Sequence, residues 1–223
     1  MTRAVRRRFL AALALIAPAA LLAPPPGRAE DRAQLMQQHR GGVMRLLASA
    51  SAGTIDPQIN YTGEFWQVYA NVYDGLTAFK KVEGPDGNTI VPDLAEAIPK
   101  PRDGGRTFTF KLRRGIKFAN GREVTTADVV ASFRRIFKIS APTSGSFYGV
   151  IVGADACLKT PATCTLAGGV VADRAANTIT FHLTRPDPEF FDKLALPFAS
   201  VLPADTPARD LGTQPAVGTG PYM

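Results

Sequence analysis

Histidine and cysteine are nearly missing from this chain, with two of each in 223 residues. His39 and His182 are too few, and too far in sequence from the cysteines, for a zinc site or for a Ser-His or Cys-His nucleophile. No G-x-S-x-G elbow, P-loop, H-E-x-x-H or C-x-x-C motif occurs. The triplet Gly218-Thr219-Gly220 is too short and too late in the chain for a dinucleotide fingerprint. These absences leave one catalytic option open, a pair of carboxylates, because any two of the 19 acidic residues could meet in the fold. No cofactor or metal is implied.

Acidic residues are also missing from the first 29 positions, whereas five arginines (Arg3, Arg6, Arg7, Arg8 and Arg28) fall there. The rest of the chain holds 21 basic residues against 19 acidic, so the overall charge of +7 shrinks to +2. The basic character belongs to the leading segment and gives no case for nucleic-acid binding. After Arg8 comes an apolar run from Phe9 to Ala23, broken by Pro18 and closed by Pro24, Pro25 and Pro26. It is shorter than the roughly 20 residues needed to span a bilayer. With Gly27-Arg28-Ala29 as a small-residue cleavage site, residues 1–29 read as a signal peptide. Arg6-Arg7-Arg8-Phe9-Leu10 also fits a twin-arginine pattern, so the export route stays open. Neither cysteine lies near the cleavage site, so no acceptor for a lipid anchor is offered there. An extracytoplasmic protein is expected.

In that oxidising compartment Cys157 and Cys164 read as a local disulfide worth about 2.5 kcal/mol by loop closure, with two free thiols as the alternative. Residues 30–41 are a polar, mobile lead-in. Val43 to Ala48 is a strand candidate. Phe65, Val68, Tyr69, Val72 and Tyr73 fall on one helical face that stops at Gly75. Leu76 to Val82 reads as a strand, Gly84 to Asn88 as a hairpin loop, and Pro92 to Ala97 as a helical turn. Thr107 to Leu112 and Thr178 to Leu183 alternate as half-buried strands, with His182 facing outward. Thr125-Thr126-Ala127-Asp128 is a capping box that opens a helix. Its apolar stripe is Val129, Val130, Phe133, Ile136 and Phe137, and Arg134, Arg135 and Lys138 form a solvated basic side. A short helix is expected within 188–196. Asn60-Tyr61-Thr62 matches a glycosylation triplet.

One block says more than periodicity can. It runs Thr107-Phe108-Thr109-Phe110-Lys111-Leu112-Arg113-Arg114-Gly115, then Asn120-Gly121, then Val124-Thr125-Thr126-Ala127-Asp128-Val129. It resembles the signature of family 5 solute-binding proteins, the peptide- and nickel-binding group of ATP-binding-cassette importers. Ile55-Asp56-Pro57, Tyr73-Asp74-Gly75-Leu76, Val91-Pro92-Asp93-Leu94-Ala95-Glu96 and the closing Gly218-Thr219-Gly220-Pro221-Tyr222 are similar to further elements of that family, in the same order. Ala119-Asn120 stands where the family often has His-Asp.

The resemblance implies an α/β, periplasmic-binding-protein-like type II (cluster C) bilobal fold, incomplete in this chain. Residues 42–83 would begin lobe I, 84–200 would form an inserted smaller domain on its side, and 201–223 would return to it. The second lobe would be absent, so this piece alone is expected to bind weakly or not at all. The implied role is non-enzymatic capture of peptides or similar small solutes by a monomer, with delivery to a membrane permease and its ATPase. The loop Ser51, Ala52, Gly53 and Thr54 and the segment Gly145-Ser146-Phe147-Tyr148 would face the ligand, an ordinary core aromatic being the alternative for Tyr148. Gly218, Thr219, Gly220, Pro221 and Tyr222 would form the interlobe crossing. The competing reading is a secreted carboxylate-dependent hydrolase on an α/β frame, recognisable by a cleft with buried acids of raised pKa.

Overall fold

A computed structural model of the chain describes residues 53–222. The signal segment, the lead-in, the Val43–Ala48 strand candidate, Ser51 and Ala52 lie outside the described residues. Helix α1 spans Gly63–Val72. Strands β1 (Thr77–Phe79) and β2 (Ile90–Pro92) then pair antiparallel, with Ala78 opposite Val91. The expected hairpin loop joins them, wound as a short 3-10 turn over Pro85–Asn88. The expected helical turn at 92–97 is instead extended. Ala95 bridges Leu112, and the Glu96 amide donates to the Lys111 carbonyl at 2.8 Å. Backbone on either side offers partners there, and the Leu94, Ala95 and Glu96 amides donate to the carbonyls of Gly75, Leu76 and Lys111 instead of closing a helical turn.

The larger sheet has three antiparallel strands in the order β3 (Thr107–Lys111), β5 (Thr178–His182), β4 (Val170–Asp173). Alternation in β3 and β5 sends Phe108, Phe110, Ile179 and Phe181 to one buried face, with Phe108 opposite Phe181 and Phe110 opposite Ile179. Strand β4 is an addition to the expected pair. It joins β5 through a tight turn in which Asn177 takes a positive φ of 55° and the Asp173 carboxylate accepts the Ala176 amide.

Helix α2 (Thr126–Lys138) lies on the buried face of this sheet. Phe133 meets Phe181 edge-on with ring centroids 4.9 Å apart. The capping box is formed as expected, the Asp128 carboxylate accepting the Thr125 amide at 2.8 Å. Two short helices follow, α3 (Ser144–Tyr148) and α4 (Ala154–Lys159). The disulfide joins Cys157 on α4 to Cys164. Helix α5 (Phe190–Leu194) closes the other flank, with Phe190 against Phe108 and Phe181.

The buried apolar residues fall into two clusters. The larger runs from Leu76 to Val201, and the smaller joins Tyr69 and Tyr73 of α1 to Leu202, Leu211 and Ala216. Segment 202–216 therefore packs with α1. The β1–β2 hairpin straddles positions 83 and 84, and Leu76 belongs to the larger cluster.

Candidate functional site

The inner face of α2 carries a polar stripe that the helical pattern hides. Asp128, Ser132 and Arg135 follow one another at i, i+4 and i+7, and all three are buried. The expected solvated basic side therefore loses Arg135, which points inward. Its guanidinium forms a two-pronged ion pair with Asp56, with Nη2 to Oδ2 at 2.5 Å and Nη1 to Oδ1 at 3.1 Å. Nη1 also donates to Gln58 Oε1 at 2.7 Å, Nε to the Pro207 carbonyl and Nη2 to the Arg209 carbonyl. All five N–H donors are engaged, as a guanidinium 3% exposed requires. The side chain reaches two stretches of chain at once, 56–58 and 207–209, because its donors fan out in a fixed plane.

The other two members of the stripe hold the returning chain. Ser132 Oγ accepts the Leu202 amide at 2.8 Å. Asp128 accepts the Ala204 amide at 2.8 Å and pairs with Arg122 at 2.6 Å. Burial by itself raises the Asp128 carboxyl, but the hydrogen bonds from Arg122, Thr125 and Ala204 outweigh it and hold it below the ordinary carboxylate range.

With Asp56 and Gln58 anchored to α2, the loop 54–62 has a fixed course. Asn60 completes it: Nδ2 donates to the Thr54 carbonyl at 2.7 Å, and Oδ1 accepts the Thr62 amide at 2.8 Å and the Thr62 hydroxyl. Asn60 is buried with its amide nitrogen committed, so the Asn-Tyr-Thr triplet does not present an acceptor for a glycan. The next residue is the opposite case. Tyr61 is 57% exposed and lies flat on the buried Phe198, centroids 5.1 Å apart at 10°. Trp66 of α1 meets it edge-on at 5.6 Å, and Phe147 of α3 approaches at 6.3 Å. Four aromatic rings from four separate segments make one ledge, with Tyr61 as its outer surface. Such a surface can take an apolar or planar group by stacking.

Thr54 is partly buried, and its hydroxyl is spent on Asp210 at 2.5 Å, within the scaffold. Gly53 is exposed with φ of 68°. Tyr148 is a correction. It is fully buried, its ring meets Phe133 and its hydroxyl donates to the Lys193 carbonyl at 2.9 Å, so it packs the core and presents nothing to a solute. Desolvation raises its hydroxyl above the usual tyrosine range. The residue of that segment that reaches the ledge is Phe147. Sequence reasoning missed Tyr61. The signal available for it was a large aromatic beside Asn60, immediately before a helix.

At the other end of α1, Gly220 donates its amide to the Val72 carbonyl at 2.9 Å and Thr219 Oγ1 donates to Asp74 Oδ2 at 2.7 Å. A β-carbon at Gly218 or Gly220 would run into the carbonyls of Val72 and Asn71, which is why glycine stands at both. Asp74 and Asp93 also line a cavity of about 370 Å³ walled by Trp66, Tyr69, Tyr73 and Phe79. Burial and then the charge of Asp74 push the Asp93 carboxyl up to about 6, against the pull of the Gly75 amide, Lys81 and Arg113. Asp93 thus meets part of the signature expected of a carboxylate-pair enzyme. Its neighbour Asp74 is engaged with Thr219, and His182 lies away on β5 beside Thr107. Among the described residues no three His, Cys, Asp or Glu side chains are grouped to hold a metal, and no helix is long and apolar enough to cross a membrane.

Residues 89–223 match the profile of bacterial extracellular solute-binding proteins, family 5 Middle. The Dipeptide-binding protein of Escherichia coli is 33% identical over 212 residues, covering 81% of this chain and 37% of that protein. Di/tripeptide-binding protein 1 of Pseudomonas aeruginosa is 27% identical over 197 residues, covering 79% and 34%. Among solved structures, Clavulanic acid biosynthesis oligopeptide binding protein 2 superposes with a TM-score of 0.69 at 32% identity, over 82% of this chain and 34% of its own. The Escherichia coli murein tripeptide binding protein MppA gives 0.65 at 25% identity, over 79% and 34%. The chain spans about a third of the length of these relatives.

Two outcomes follow from the geometry. Arg135→Met strands the buried Asp56 carboxylate and is expected to lower the unfolding free energy by about 3–5 kcal/mol. Adding Asp56→Leu to it should recover part of that loss in urea titrations. A single variant as stable as the wild type would contradict the buried pair. Asp93 has the opposite sign. Its folded-state pKa lies above its unfolded value, so its ionisation costs stability, a cost absent below about pH 4 and complete above about pH 6. Asp93→Asn should therefore raise the melting temperature near pH 7.5, by on the order of 1–2 kcal/mol of stability after allowing for partial exposure. The gain should vanish near pH 4. A gain independent of pH would rule out the ionisation as its source.

Proposed function

Because this chain belongs to the family 5 bacterial extracellular solute-binding proteins, we propose that it serves the substrate-binding component of an importer that takes up peptides. Its fold is part of the bilobal α/β architecture of the type II periplasmic binding proteins. The observation that carries the reading is the agreement of the family match over 89–223 with a TM-score of 0.69 to an oligopeptide binding protein. The relatives named above are binding proteins, and three of them are named for dipeptides or tripeptides. We assign the leading segment to export and the protein to an extracytoplasmic place, where a solute is captured and handed to a permease and its ATPase.

In this reading the ledge at Tyr61, with Phe147 beside it, is the chain's share of the ligand cleft. Segment 218–222 is the crossing towards the opposing lobe, braced on α1 through Gly220 and Thr219. Closing of two lobes around a solute turns contact energy into a shape that a permease can recognise. The scaffold around the ledge is fixed by buried polar contacts, which reduces the ordering cost of binding.

Isothermal titration with di- to pentapeptides tests the proposal, using this 223-residue chain and, where its gene encodes more, the longer chain. The expected outcome is saturable one-to-one binding by the form that carries the opposing lobe, weak or no binding by the 223 residues alone, and no peptide consumed. Absence of binding by every form, or cleavage of the peptide, would defeat it.

A further inference from the structure

We infer that Tyr61 makes the site selective, so that it prefers peptides bearing an aromatic side chain at the position that meets the ledge. The inference rests on the peptide-binding reading above and adds a substrate class to it. One face of the Tyr61 ring is taken by Phe198, nearly parallel at 10°, and two of its flanks are held by Trp66 and Phe147. Tyr61 as a residue remains 57% exposed, and its ring face opposite Phe198 has no aromatic partner among the described residues. A large aromatic in that state leaves apolar area in water that a second ring could cover.

The ring is also held in place before any ligand arrives. Its predecessor Asn60 is locked to Thr54 and Thr62, and the loop is pinned to α2 by Asp56 and Arg135. Rigid aromatic anchors of this kind bind at low conformational cost. The four members of the ledge, Tyr61, Trp66, Phe147 and Phe198, are all aromatic. An offset or edge-on ring gains from the quadrupole of Tyr61, which a saturated side chain of equal size does not.

The test compares tripeptides that differ at one residue, alanine, phenylalanine or cyclohexylalanine, titrated into the peptide-binding form of the protein. Cyclohexylalanine matches phenylalanine in bulk and lacks the π system. The wild type is expected to bind the phenylalanine peptide roughly three- to tenfold more tightly than the cyclohexylalanine peptide. Tyr61→Leu should abolish that ratio, and Tyr61→Phe should keep it. Melting curves of both variants establish that they fold. Equal affinity for the two bulky peptides in the wild type, or a Tyr61→Leu loss spread evenly over all three, overturns the selectivity and leaves peptide capture standing. Failure of all three peptides with every variant overturns the underlying reading instead.

Discussion

The ion pair between Asp56 and Arg135 is the contact on which the rest of this structure depends. It is buried on both sides, and a charge in that position needs every partner it can find. Arg135 finds five acceptors, and they lie in the loop after Thr54 and in the segment 207–209. Neither stretch is regular secondary structure, so neither could hold its course by backbone pairing alone. One side chain on a long helix supplies what a sheet would otherwise supply. The exposed ledge is a consequence: Tyr61 sits where it does because the five residues before it are fastened from beneath.

That arrangement divides the labour within the chain. The sheet of β3, β5 and β4 and the helix on it form a closed apolar body stapled by Cys157–Cys164, and their aromatic side chains are buried. The loop 54–62 is held to α2 by polar contacts, and α1 packs on the returning segment through Tyr69, Tyr73, Leu202 and Leu211. The exposed aromatic surface draws Tyr61 and Trp66 from the loop and α1, and Phe147 and Phe198 from two later segments. Binding surfaces commonly form where side chains from separate segments converge on a rigid frame.

Much of the frame was legible in the residues. Strict alternation marked β3 and β5, the box at Thr125 and Asp128 marked the start of α2, and two cysteines seven apart marked the staple. The shortfalls share one cause, since a pattern within an element says nothing about partners far away in the chain. Arg135 looked like one more basic residue on a solvated face, because its acid lies 79 positions earlier. The i, i+4, i+7 run of Asp128, Ser132 and Arg135 was there to be read, but only a partner makes it polar core and not solvent face. Strands β2 and β4 are too short to show a period, and their neighbours create them. Tyr148 and Phe147 are adjacent, and a rotation of 100° along a helix decides which one reaches the surface.

The account holds that this chain contributes the ledge to a solute cleft, and hydrogen–deuterium exchange of the peptide-binding form, with and without saturating peptide, tests that most directly. Slowed exchange on binding is predicted for the backbone of residues 54–62 and 145–148, with the strands β4 and β5 unchanged. Protection confined to other parts of the chain, with the loop before α1 exchanging as fast as in the free protein, would contradict it.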